Sequence, residues 1–130
     1  MKKAYLAGTY GRRAELHQVA LDLLSLNVEI TARWLGGGHE MDYEPAKAAQ
    51  FAAEDLEDVA AADTVIVFSG ERQGVAPTRG GRHTEFGAAV ATGKNVILVG
   101  PRECVFHHLA SVRHFPTWEA ALAAIKKDVV

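Results

Sequence analysis

Glu85 is the residue of this sequence best placed to do covalent chemistry. It stands in GGRHTEFGAAVATGKNVILVG, residues 80–100, where two glycines, a basic pair and a hydroxyl lead into a run of small residues. A helix starting near Thr84 puts Glu85 in its first turn, where the macrodipole and free N–H groups hold a carboxylate ionised. An ionised carboxylate can act as a nucleophile, whereas a general acid needs the protonated form. The same position also suits an ordinary first-turn acid that only satisfies helix amides. Asp55, in AAEDLEDVAAAD, is a second candidate. The acids around it, Glu54, Glu57, Asp58 and Asp63, read as a solvated helix face. Asp55 adjoins Leu56, expected to face the core, and can point along the sheet edge.

Other groups offer binding rather than bond-breaking. Gly8, Thr9, Gly11, Arg12 and Arg13 form a turn that opens a helix, and backbone amides with a guanidinium make a generic anion site. GTYGRRAE has neither the G-x-G-x-x-G spacing of a dinucleotide site nor the G-K-[ST] of a P-loop. The alternative is that the arginines simply face solvent. Trp34, beside GGGH, has a ring that can stack on a base or close a strand by packing. His107 and His108 are adjacent and His114 is six residues on, without H-x-x-x-H or Cys/His spacing, so no metal site and no cofactor are expected. Cys104 has no catalytic partner in the sequence.

These residues need a scaffold, and the pattern describes one. KAYLA is a short buried strand, followed by a helix whose Leu16, Val19, Ala20 and Leu23 share one face. VEITARW reads as a second strand. After GGGHEMDY, Pro45 suits a first helical turn, and Ala49, Ala52, Ala53, Leu56, Val59 and Ala60 carry the helical period to Ala62. DTVIVFS is the clearest strand, continuous and β-branched as in strands buried on both faces. The helix near Thr84 ends at Gly93, NVILVG is a fourth strand, and SVRHF a weaker fifth. TWEAALAAIKK closes the chain as a helix capped by Thr117. Alternation of strand and helix predicts a parallel sheet with helices on both faces. Ligands of such sheets bind beyond the strands' carboxyl ends, where GTYGRR, GGGHEMDY and GERQGVAPTRGGRHT lie.

Composition sets the limits. The 130 residues make one domain, residues 1–130, and the net charge of −2 argues against binding nucleic acid polymers. One cysteine precludes an internal disulfide framework and suits a cytoplasmic setting. No apolar run suggests a signal peptide or a membrane span.

YLAG, EDLEDVAAADTVIVFS and GGRHTEFGAAVATGKNVILVG, in that order, resemble the nucleoside 2-deoxyribosyltransferase family and its relatives, the 2′-deoxynucleoside 5′-monophosphate N-glycosidases. The similarity runs from about Lys3 to Ile125, with T-E-F-G-x-A its most specific element. The resemblance implies a three-layer flavodoxin-like α/β sandwich with a five-stranded parallel sheet. It implies that Glu85 attacks C1′ of a deoxyribose, forming a covalent glycosyl-enzyme, with Tyr5 positioning the nucleophile and Asp55 positioning the sugar or assisting the departing base. Gly8 and Thr9 match the loop near the sugar's 5′ group. Arg12, Arg13, Arg79 and Arg82, with Gly81 and His83, are then candidates to meet a 5′-phosphate, and Trp34 to meet the base.

The expected activity is cleavage of the N-glycosidic bond of 2′-deoxynucleosides or their 5′-monophosphates, with the sugar passed to another base or to water. The resemblance further implies a homodimer or larger homo-oligomer, with CVFHHLASVRHF either a contribution to a neighbour's site or the packing of a weak edge strand. The alternative is a non-catalytic nucleotide-binding or sensing module of the same fold. The cytokinin-activating phosphoribohydrolases carry P-G-G-x-G-T-x-x-E, and TRGGRHTEFG departs from that pattern.

Overall fold

TVIVF is buried along its whole length, and this puts it at the centre of the sheet. The computed structural model describes residues 1–37, 44–75 and 80–129. Its strands are β1 (Lys3–Ala7), β2 (Glu29–Ile30), β3 (Thr64–Phe68), β4 (Asn95–Val99) and β5 (Val112–Phe115). They pair in the order β2-β1-β3-β4-β5, and every pairing is parallel. The register sets Tyr5 beside Val65 and Leu6 beside Ile66. The helices are α1 (Arg13–Leu24), α2 (Pro45–Ala61), α3 (Gly81–Ala91) and α4 (Trp118–Val129). α2 packs against α3 on one face. α1 and α4 share the other, where the Trp118 indole N–H donates to Asp22 Oδ2 at 2.8 Å. The result is a three-layer flavodoxin-like sandwich, whose strand order reverses between β1 and β3.

Two boundaries differ from the sequence reading. The stretch VEITARW is strand only over Glu29–Ile30 and then winds into a tight 3₁₀ turn, Arg33–Gly36. An edge strand has one neighbour to pair with, and here Asp58 captures the Arg33 N–H at 2.9 Å and ends the pairing. α3 begins at Gly81, three residues before Thr84, because Gly80 takes a left-handed conformation (φ 102°) and turns the chain into the helix. At its far end Gly93 is left-handed (φ 73°), and Lys94 N–H closes on Ala89 O at 3.0 Å. That C-terminal signal was legible.

The orientation of α2 overturns the expectation drawn from its apolar period. Ala49, Ala52, Ala53, Leu56 and Ala60 face outward, with Leu56 48% exposed, while Asp58 is buried at 6%. Burying a leucine is worth about 1.5–3 kcal/mol, so leaving Leu56 half out forgoes roughly 1 kcal/mol. The charge-assisted bond from the Arg33 N–H to Asp58 is worth about 1.5–3 kcal/mol. The Thr31 hydroxyl adds a bond to Asp58 O at 2.8 Å. The carboxylate therefore outweighs the leucine.

Gly100 closes β4 against the end of β3. It is left-handed (φ 112°), and a Cβ there would lie 2.7 Å from Ser69 Oγ and 2.9 Å from Ser69 O. Gly100→Ala is expected to destabilise the chain by about 2–4 kcal/mol, through strain and this clash together. Urea unfolding should show the midpoint falling at an unchanged slope.

Candidate active site

Three side chains converge at the switch point from three different elements. Tyr5 lies on β1 and is fully buried, because the strand's pleat turns it into the layer beneath α2 and α3. Glu85 lies in the second turn of α3, 8% exposed. The Tyr5 hydroxyl donates directly to Glu85 Oε2. Asp55, half-buried on α2, is near enough to act electrostatically on both. Eighty residues of sequence separate Tyr5 from Glu85, and the β1–β3 pairing brings them together.

The surroundings of Glu85 differ from those of a first-turn acid. Burial pushes its carboxyl up to about 8; the Tyr5 hydrogen bond pulls it down, and the Asp55 charge pushes it further up. The Tyr5 hydroxyl is raised far above its ordinary value, first by burial and then by the charges of Glu85 and Asp55. Each shift has the same physical source: negative charge is costly at a dry site that already holds a neighbouring carboxylate. Glu85 is thus poised near neutrality, able to exist in both protonation states in the working range of pH.

The basic residues of the glycine turn serve the scaffold more than the sequence suggested. The Arg12 side chain is 2% exposed; it pairs with Glu15 and donates to Ser69 O at 3.0 Å. Arg82, also buried, donates to Phe68 O at 3.2 Å and Gly70 O at 3.4 Å and pairs with Glu103 at 2.8 Å. Two guanidiniums thereby hold three consecutive carbonyls at the carboxyl end of β3. Trp34 is buried at 5%, with its indole N–H on Leu6 O at 2.8 Å, so its ring is packing.

Tyr10 stands 6.2 Å from the Trp34 ring. The Arg13 guanidinium lies over the Tyr10 ring at 5.0 Å and donates to its hydroxyl at 2.6 Å. Gly8 and buried Thr9 lie directly after Tyr5's strand, where a Cβ on Gly8 would meet Leu16 Cδ1 at 2.9 Å. Gly81 opens α3 with open space beside it, and His83 is exposed in that helix's first turn. Arg79 lies outside the described residues.

The His83 ring stacks 6.2 Å from that of His107, whose Nδ1 accepts the Glu103 N–H at 2.9 Å. Burial lowers the His107 pKa, which suits a structural neutral imidazole. Among the described residues, no three His, Cys, Asp or Glu side chains gather in a metal-binding group, and no helix is long and apolar enough to cross a membrane.

Solved structures share this architecture. The CMP N-glycosidase of Clostridium botulinum superposes with a TM-score of 0.62 and 21% identity, over 99% of this chain and 100% of that one. A 2-deoxyribosyltransferase from the psychrotolerant bacterium Bacillus psychrosaccharolyticus gives a TM-score of 0.71 and 20% identity, over 92% of this chain and 90% of that one. A conserved protein of Enterococcus faecalis V583 gives 0.61 and 18%, over 98% and 99%. No protein-family model and no curated sequence matches the chain. The likeness establishes the fold; the first two neighbours are an N-glycosidase of CMP and a 2-deoxyribosyltransferase.

Folding traps a proton on Glu85, since its carboxyl titrates at about 8 in the native chain against an ordinary 4.5. Native Glu85 binds more protons than unfolded Glu85 between those values, so its contribution to stability is lost as pH rises through that window. Glu85→Gln removes the effect. Relative to wild type, the variant's Tm is expected to gain at least about 3 °C between pH 5 and pH 9. A Tm difference that does not change with pH would refute the buried, protonated carboxyl.

Proposed function

We propose that this protein cleaves the N-glycosidic bond of 2′-deoxynucleosides or their 5′-monophosphates through a covalent deoxyribosyl–Glu85 intermediate. The observation that carries the reading is the Tyr5–Glu85 hydrogen bond, buried at the sheet's switch point with Asp55 beside it. Ionised Glu85 attacks C1′ as the bond to the base breaks. Its charge stabilises the oxocarbenium-like transition state before the ester forms. Tyr5 holds one carboxylate oxygen and leaves the other to the sugar. Asp55 orients the sugar or assists the departing base. Water or a second base then attacks C1′ from the face the first base left, so anomeric configuration is retained. Gly8, Thr9, Gly81, His83 and Arg13 line the approach to the 5′ group, while Arg12, Arg82 and Trp34 shape its walls.

A nucleophile carried on a flavodoxin-like frame favours this enzyme over a binding module, which has no need of a buried reactive carboxylate. The reading includes self-association: Val105, Phe106 and Leu109, in the segment after β4, are 77%, 62% and 41% exposed.

Incubation with deoxynucleosides and their 5′-monophosphates, with and without an acceptor base, should release free base or exchanged nucleoside on chromatography. Mass spectrometry should show a deoxyribosyl adduct on Glu85. Glu85→Ala and Glu85→Gln are expected to abolish base release with the fold intact; full activity in either would sink the mechanism. In wild type, kcat/KM should rise about tenfold per pH unit below about 8 and level above it, as free-enzyme Glu85 ionises. A rate that is flat from pH 6 to pH 9 would exclude Glu85 as the titrating nucleophile.

A further inference from the structure

Asp58 is a buried carboxylate that the proposed reaction does not use. It lies on α2, one turn beyond Asp55, and is 6% exposed. Its Oδ2 accepts the Arg33 N–H at 2.9 Å, and Arg33 Nε donates to both carboxylate oxygens, at 2.9 and 3.2 Å. Its main-chain carbonyl accepts the Thr31 hydroxyl at 2.8 Å. The Arg33 guanidinium reaches further along the helix, to Glu57 at 3.0 Å and Glu54 O at 3.4 Å. The next residue, Trp34, is pinned to Leu6 O in β1, one position from Tyr5. A continuous clamp therefore runs from the catalytic strand to α2.

We propose that Asp58 is a positioning residue: through Arg33 and Thr31 it sets the rotation of α2 that turns Asp55, in place of Leu56, toward Tyr5 and Glu85. The inference rests on Tyr5, Asp55 and Glu85 being the reacting set. Residues three apart share a helix face, so Asp58 and Asp55 turn together. The outward apolar stripe of Ala49, Ala52, Ala53, Leu56 and Ala60 supplies the opposing tendency, because hydrophobic burial favours the rotation that hides it. The clamp is what resists that rotation.

Burial is the largest influence on the titration of Glu85, followed by the Tyr5 hydrogen bond from β1 and the Asp55 charge from α2; Asp58 acts on Tyr5. A change in the Glu85 midpoint on altering Asp58 that disappears when Asp55 is already Asn is therefore a change acting through Asp55. The test is ¹³C-carboxyl NMR titration of the full chain, with Glu85 assigned by comparison with Glu85→Gln. Asp55→Asn should lower the midpoint from about 8. Asp58→Ala should lower it toward the same value, and the double variant should go no lower than Asp55→Asn alone. Asp58→Asn, which keeps an acceptor for the Arg33 N–H, should retain most of the wild-type midpoint.

A wild-type midpoint in Asp58→Ala, whatever its Tm, overturns the proposal and leaves Asp58 purely structural. Should Asp58→Ala fail to fold, Arg33→Ala carries the same comparison, with a smaller downward shift expected and none overturning the proposal. The titration needs no substrate, so absence of turnover would count against the proposed reaction alone. Where turnover is measurable, Asp58→Ala should lower kcat by about tenfold or more while KM changes little, as for a group that aligns the reacting set.

Discussion

The hydrogen bond between Tyr5 and Glu85 is the contact around which the rest of the site is arranged. It joins β1 to α3 across the point where the strand order reverses, and it lies where water has been excluded. A carboxylate is expensive in such a place unless a donor meets it, and Tyr5 is that donor. Asp55 supplies a second negative charge and makes the arrangement costlier still. The fold maintains both costs at one spot, which supports the proposed reading of that spot as a reacting centre.

Positive charge is deployed elsewhere. Arg12 and Arg82 turn inward and cap the carbonyls of Phe68, Ser69 and Gly70, which a strand's carboxyl end leaves without partners. Because their guanidiniums are matched by Glu15 and Glu103, neither arginine is pressed against Glu85, whose carboxyl consequently stays high rather than being held low by an adjacent cation. The Arg82 contacts tie the first turn of α3 to the end of β3, so the helix that carries Glu85 is anchored a turn away from Glu85 itself.

α2 shows how a polar contact can overrule a hydrophobic period. Its alanines and Leu56 describe one face, and its acids describe another. A scan for apolar repeats chooses the first as the buried face. The fold chooses the second, because Arg33 and Thr31 arrive from the β2 edge to satisfy Asp58. Alanine side chains bury little area, so the apolar stripe has a weak claim on the core. Of the two carboxylates on the inward face, Asp58 is clamped by Arg33 and Asp55 lies near Tyr5 and Glu85.

Much of the fold was legible from local pattern. The β-branched run of β3, the small residues of α3 ending at Gly93, and the Thr117 cap each act through neighbouring residues only, so they can be read without the tertiary structure. The resemblance of T-E-F-G-x-A and YLAG to known sequences singled out Glu85 and Tyr5 as candidates. Their contact was implied by that same resemblance; local pattern alone does not supply it, since it depends on which strands pair. The inward turn of Arg12 and Arg82, the burial of Trp34, the outward turn of Leu56 and the part played by Asp58 all depend on partners 14 to 57 residues away. The sequence by itself determined the alternation of elements and placed reactive residue types at the ends of strands, because propensity and capping are local. Only the tertiary structure decided which charges are dry and which are paired, because desolvation and ion pairing belong to the assembled chain.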